Sequence, residues 1–264
     1  MAGVARLPLL ALAALLLSLG AAAPAAAQEE EGVRVGIEYQ PGYVPGMAVT
    51  SVSGRPALEE VATRVDSILR RDLDYSDRFE MLTVPDSLGE AVGVNYGLWN
   101  ELGAVWLVTA NVTGSPDRPR LRVSLHDIPY SRVREVQAFE LPAPGARGFR
   151  MAVHRASDAV VRWATGEPGI AATRIAFRRR TADGVSELYT VGSDGRNLRR
   201  VTSDSSIVYS PEFSPDGGEL MYVSYRTGNP HVYVEDLGSG ESARLETDRS
   251  FNITPTYGPD GDRI

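Results

Sequence analysis

The stretch that decides the fold is Ser210-Pro211-Glu212-Phe213-Ser214-Pro215-Asp216-Gly217, which returns as Thr254-Pro255-Thr256-Tyr257-Gly258-Pro259-Asp260-Gly261. The offset is 254 − 210 = 44 residues, and the same shift carries Leu188-Tyr189 onto Val232-Tyr233, Val201 onto Leu245 and Leu220 onto Ile264. Self-similarity at about 40 to 45 residues, with short apolar runs between Pro/Gly turns, is the signature of four-stranded β-propeller blades. In each copy proline presets φ, aspartate bonds amides two residues on, and glycine takes the closing conformation. Turn formation therefore accounts for Asp216 and Asp260 without a metal or a catalytic role. A catalytic group has no reason to recur in every blade.

Outward from this phrase, the first blade is expected to open at Arg174-Ile175-Ala176-Phe177. It continues through Glu187-Leu188-Tyr189-Thr190-Val191, the turn Ser193-Asp194-Gly195 and Leu198 to Thr202. Leu220 to Ser224, His231 to Glu235 and Ser242 to Leu245 supply the next strands. The only dense basic run, Arg178-Arg179-Arg180, reads as a solvated strand end. After Thr173 there remain 264 − 173 = 91 residues, two blades and a fragment of a third. Even the smallest propellers use about four blades, so the ring is expected to be incomplete and the protein to be truncated at its C-terminus.

Upstream lies a different pattern. Leu58, Val61, Val65, Ile68, Leu69 and Leu73 fall at helical spacing, with Pro56 suited to the first turn and Glu60 and Arg64 placed to pair on the wet face. Met47 to Val52 and Phe79 to Leu82 read as strands, and Tyr96 to Leu102 as a short helix containing Trp99. Val105 to Val108 is apolar on both faces, which suits a central strand covered on two sides. Leu121, Val123 and Leu125 alternate, Val133 to Leu141 gives a further strand, and a helix presents Phe149, Ala152, Val153, Ala156, Ala159, Val160 and Trp163 on one face. Gly166 caps that helix and Pro168 prevents its continuation. The fold class is thus a two-domain α+β protein: an α/β sandwich over residues 28–165, a linker at 166–172, and incomplete propeller blades over 173–264.

At the start, Arg6, the apolar run Leu7 to Leu19 and Ala25-Ala26-Ala27 form a basic region, a hydrophobic region and a small-residue cleavage site. This predicts a signal peptide over residues 1–27. A membrane anchor fits less well, because Pro24 and the alanines make a poor end to a bilayer span. The net charge of −7 becomes −8 once Arg6 leaves, which argues against a nucleic-acid partner. There is no cysteine, hence no disulfide, lipidated cysteine or thiolate site. Residues Val33, Arg34, Val35, Gly36, Ile37, Glu38 and Tyr39 alternate with period two, set off by the Pro41-Gly42 and Pro45-Gly46 turns. They form either an edge strand of the first domain or a detachable segment able to add to another sheet.

Chemistry is otherwise sparse. His126 beside Asp127 has no serine or cysteine nucleophile motif and is expected as a surface pair at a strand end; His154, with no second ligand at a plausible spacing, is a packing or surface histidine. Asn111-Val112-Thr113 and Asn252-Ile253-Thr254 match the glycosylation sequon, a pattern short enough to arise by chance.

The α/β domain, the joint Thr165-Gly166-Glu167-Pro168-Gly169 leading to Thr173-Arg174-Ile175-Ala176-Phe177, Glu187-Leu188-Tyr189 with Ser193-Asp194-Gly195, and the repeated phrase together resemble the TolB family of the Tol-Pal system. The resemblance covers nearly all of the expected mature chain and implies a periplasmic binding protein, not an enzyme; the residues themselves give no reason to expect a cofactor or a metal site. The resemblance implies a propeller of six blades that engages the outer-membrane lipoprotein Pal. It also implies an N-terminal segment, here Val33 to Tyr39, taken up by the inner-membrane protein TolA, in support of outer-membrane integrity and constriction at division. Two other readings are the propeller part of an exported prolyl-oligopeptidase-type peptidase, whose Gly-x-Ser-x-Gly elbow is not in these residues, and a polymer-binding propeller.

Overall fold

The computed structural model describes residues 43–84, 88, 93–246 and 253–264. The expected signal peptide and the segment Val33 to Tyr39 lie outside the described residues. The protein divides into a unit ending at Tyr43 and a unit from Val44 onward, and the second carries every strand and helix named below.

Strands β1 (Gly46–Val49) and β2 (Ser53–Gly54) lead through a 3-10 turn (Pro56–Leu58) into helix α1 (Glu59–Tyr75). Then come β3 (Glu80–Met81), α2 (Tyr96–Glu101), β4 (Trp106–Ser115), β5 (Arg118–Asp127), β6 (Arg132–Glu140) and α3 (Phe149–Thr165). The sheet order is β3-β1-β4-β5-β6, with β2 also on β4. Pairing is parallel for β1 with β3 and β4 and for β2 with β4, and antiparallel from β4 to β6.

Burial follows the periodicities of the sequence. On one face of the sheet Val108, Val123 and Leu125 meet Val65, Leu69 and Leu73 of α1 and Phe149, Val153 and Val160 of α3. On the other, Ala48 and Leu107 meet Trp99 of α2 and Ile128. The run Val105 to Val108 is therefore apolar on both faces because β4 is covered on both faces. Asn95 caps α2, its side chain accepting from the Leu98 amide at 3.2 Å. Gly166 ends α3 in the left-handed region at φ 82°, a conformation glycine adopts without a Cβ penalty. Arg64 lies over the Phe149 ring, 5.2 Å from its centroid, instead of forming the expected pair with Glu60.

A second expectation is overturned. His126 and Asp127 are buried, at 6% and 5% exposure. The His126 ring is bonded to the Tyr96 hydroxyl (3.0 Å) and Thr109 Oγ1 (3.2 Å), and burial lowers its pKa. Helix α2 closes over this strand end, which the local sequence does not reveal.

The second half holds two small sheets. Strands β7 (Arg174–Ala182), β8 (Val185–Gly192) and β9 (Arg199–Arg200) form one in the order β7-β8-β9. Strands β10 (Val208–Phe213), β11 (Glu219–Ser224), β12 (His231–Asp236) and β13 (Ser242–Arg244) form the other as an antiparallel meander. Shifting by 44 residues lays β7, β8 and β9 over β11, β12 and β13, so the period is one blade. Arg178, Arg179 and Arg180 are exposed on β7. Between the sheets Leu188 packs with Val208, Leu220, Tyr222, Tyr233 and Leu237. The far face of the second sheet, Met221, Val223 and Val232, is covered by Tyr209, Leu245 and Tyr257.

The repeated phrase proves to be a connector as well as a turn. Asp216 Oδ1 accepts from Ser214 Oγ (2.6 Å) and the Gly218 amide (2.9 Å), and Gly217 has φ 72°. In the second copy the Asp262 amide donates to Asp260 Oδ1 and Gly261 has φ 79°. Glu212 of the first copy accepts from Thr256 Oγ1 (2.9 Å) and the Tyr257 amide (3.1 Å) of the second. Successive blades are thereby fastened through the phrase that marks their period.

Candidate functional site: the joint between α3 and the first blade

The described residues with the densest buried polar chemistry lie where the α/β layer meets the first blade. Three elements converge there: the C-terminal half of α1 with Arg71 and Asp72, α3 with Arg150, His154, Ser157 and Asp158, and the β8-β9 turn with Ser193-Asp194-Gly195. The turn is built by local rules. Asp194 Oδ1 accepts the Arg196 amide at 2.8 Å, the Gly195 amide donates to the Gly192 carbonyl, and Gly195 has φ 73°.

The remaining carboxylate oxygen of Asp194 faces the helices. It accepts from Arg71 Nη2 at 2.6 Å and from Arg150 Nε at 3.0 Å, with Arg150 Nη2 also in contact. His154 Nε2 lies 3.4 Å from the same oxygen. On its other side His154 Nδ1 is 2.7 Å from Asp72 Oδ2, which also accepts from Ser157 Oγ at 2.7 Å. The Asp194 side chain is 3% exposed, that of His154 3% and that of Asp72 4%. Burial by itself would raise the Asp194 pKa. The hydrogen bonds from Arg150, the Arg196 amide and Arg71, with the Arg150 charge, outweigh burial and pull it down to about 2.

A second anchor reinforces the first. Asp158 of α3 accepts two consecutive amides of the connecting segment, Ala171 at 2.8 Å and Ala172 at 2.9 Å. Ser193 ties the turn to the same segment, its Oγ donating to the Ala171 carbonyl (2.6 Å) and its amide to that of Thr173 (3.1 Å). The segment runs so close to α3 that a Cβ on Gly169 would sit 2.3 Å from Asp158 Oδ1 and 2.6 Å from its Cα. Within the blade, Glu187 is fully buried. Burial opposes its ionisation, but Thr202 Oγ1, the Ser205 amide, Arg200 and the Asp204 amide together lower its pKa.

Chemically this constellation can clamp. The Ser157 hydroxyl is fully buried and donates to Asp72, and no group of three or more His, Cys, Asp or Glu side chains placed to hold a metal ion occurs among the described residues. The constellation converts the β8-β9 turn into a plug held by two helices, which fixes the blade against the α/β layer. Reading the sequence alone treats Asp194 as a turn former and His154 as a packing or surface residue. His154 is indeed packed, but between two carboxylates, and Arg71, Asp72, Arg150 and Asp158 carry no local signal of their role. Of the residues the sequence proposed for partner binding, Val33 to Tyr39, none is among those described.

Residues 42–132 match the model of the TolB amino-terminal domain and residues 161–264 that of the TolB beta propeller domain. The Tol-Pal system protein TolB of Anaeromyxobacter sp. (strain K) is 36% identical over 263 residues, spanning 97% of this chain and 58% of that protein. The TolB of Cereibacter sphaeroides (strain ATCC 17025) is 32% identical over 240 residues, spanning 86% of this chain and 52% of its own. The crystal structure of TolB from Acinetobacter baumannii superposes with a TM-score of 0.68 at 25% identity, covering 83% of this chain and 53% of that one. The chain thus spans a little over half the length of the curated relatives it matches. No helix among the described residues is long and apolar enough to cross a membrane. With an amino-terminal match followed by a propeller match, in the order of the α/β layer and the blades, the chain belongs to the TolB family.

Proposed function

We propose that this chain acts as a non-catalytic interaction component of the Tol-Pal envelope system, exported to the periplasm by residues 1–27. Its blades contribute to binding a Pal-type outer-membrane lipoprotein. Val33 to Tyr39 is offered to a TolA-type inner-membrane protein as an added strand. The observation that carries the reading is the alignment of 97% of the chain with a curated Tol-Pal protein. The physics of the segment supports its assignment: a short alternating strand between glycine- and proline-containing turns can leave its own domain and supply main-chain hydrogen bonds to another sheet edge. The domain division at 28–165, 166–172 and 173–264 belongs to the same reading, with α3 ending at Thr165 and β7 opening at Arg174.

The test is a pull-down with the C-terminal domain of a TolA-type protein, using the chain with and without Gln28 to Gln40. Capture of the full chain and loss of capture on deletion is the expected result. Equal capture of both would sink the strand-donation assignment.

A further inference from the structure

A cleft of about 960 Å³ opens between the N-terminal end of α3 and the turns of both blades. Arg147, Arg155, Arg174 and Arg199 line it, and the sole carboxylate in its lining is Asp216, whose Oδ1 is already held by Ser214 and Gly218. None of the four guanidinium groups is ion-paired among the described residues. Arg174 donates to the Gly217 carbonyl and Arg199 to the Leu237 carbonyl. The side chains of Arg147 and Arg155 have neither a hydrogen-bond nor an ion-pair partner among the described residues. Glu235, which feels the Arg199 charge, is buried, and that burial raises its pKa.

The concentration is anomalous for this protein. Its net charge is −7, so carboxylates outnumber arginines and lysines, yet four cations share one concavity without an ion-pair partner. The groups feel one another: burial, then the neighbouring Arg155 and Arg199 charges, lowers the Arg174 pKa. Helix α3 adds to the field, because its N-cap, Gly148, has no side chain to cap it and its first turn has no acidic residue, leaving the positive end of its dipole at the cleft. Guanidinium groups in a concave, partly desolvated setting hold oxyanions with paired, charge-assisted hydrogen bonds.

We propose that this cleft binds a small multivalent oxyanion, a ligand whose phosphate or carboxylate groups engage more than one of the four arginines. The site is independent of the strand donated to a TolA-type partner and stands or falls separately from it. Titration calorimetry of the full chain at low salt, with inorganic pyrophosphate and with citrate as probes, tests it. Saturable binding of one ion per chain is expected for at least one probe. Pyrophosphate alone identifies phosphate as the ligand chemistry, citrate alone carboxylate, and both a general oxyanion site.

Arg147→Glu with Arg155→Glu, two exposed positions without structural partners, should weaken binding at least tenfold without moving the melting temperature. Charge reversal at the exposed Arg178 and Arg179 of β7 should leave the affinity within twofold. Absence of saturable binding with both probes would overturn the proposal. So would equal weakening by the two pairs of substitutions, since that would show diffuse charge in place of a built site.

Discussion

Replacing Asp194 by asparagine keeps the shape of the β8-β9 turn and removes the charge that Arg71 and Arg150 grip. The carboxyl is held at about 2 against a reference of 3.8, and each unit corresponds to about 1.4 kcal/mol, so the ionised form contributes on the order of 2 kcal/mol. The side chain is 3% exposed while Arg71 and Arg150 are 27% and 23% exposed, so the stranded cations regain some water and the loss stays below the 3–5 kcal/mol of a fully buried pair, about 2 kcal/mol. Because the folded-state pKa is depressed, this contribution is complete above about pH 4 and disappears as pH falls toward 2. Chemical denaturation at pH 7 should place Asp194→Asn about 2 kcal/mol below wild type, with the gap closing between pH 4 and pH 2. Limited proteolysis should cut the 166–173 segment faster in the variant. A variant within about 0.5 kcal/mol of wild type at pH 7, or a gap that does not change through that window, would refute the clamp.

Three further substitutions probe the same geometry. Gly169→Ala places a methyl against the Asp158 carboxylate and Cα, and should cost about 2 kcal/mol by thermal denaturation, with the Ala171 and Ala172 amides losing hydrogen-exchange protection. Glu212→Ala removes the acceptor shared by Thr256 and Tyr257, so amide exchange should accelerate at Tyr257 while the β4-β5 amides are unchanged. Leu188→Ala empties the space between the two blades and should cost about 2–5 kcal/mol, read as a lower denaturation midpoint.

How much was legible depended on the range of the physics involved. The 44-residue period showed itself because turn chemistry is local: Pro215, Asp216 and Gly217 each act within a few residues. Helices α1 and α3 were visible for the same reason, since apolar residues three and four apart must share a face. The docking of Tyr257 on Glu212 was not legible, because one copy of the phrase gives no sign that it receives the other. His126 and Asp127 were expected at the surface because polar residues at a strand end usually meet water; Tyr96, Thr109 and helix α2 reach them only through tertiary packing. The joint was hidden for a related reason. Asp72, Asp158 and Asp194 sit on faces or turns where carboxylates need no special explanation, and only the folded protein aims them at arginines, a histidine and linker amides far away in sequence.

Membership of the Tol-Pal envelope system as an interaction protein is tested most directly by titrating the full chain with two partners in turn. One is the soluble domain of a Pal-type lipoprotein, the other the C-terminal domain of a TolA-type protein. Saturable one-to-one binding to either, abolished for the TolA-type partner when Val33 to Tyr39 is removed, is the predicted result. Absence of binding to both partners would contradict it.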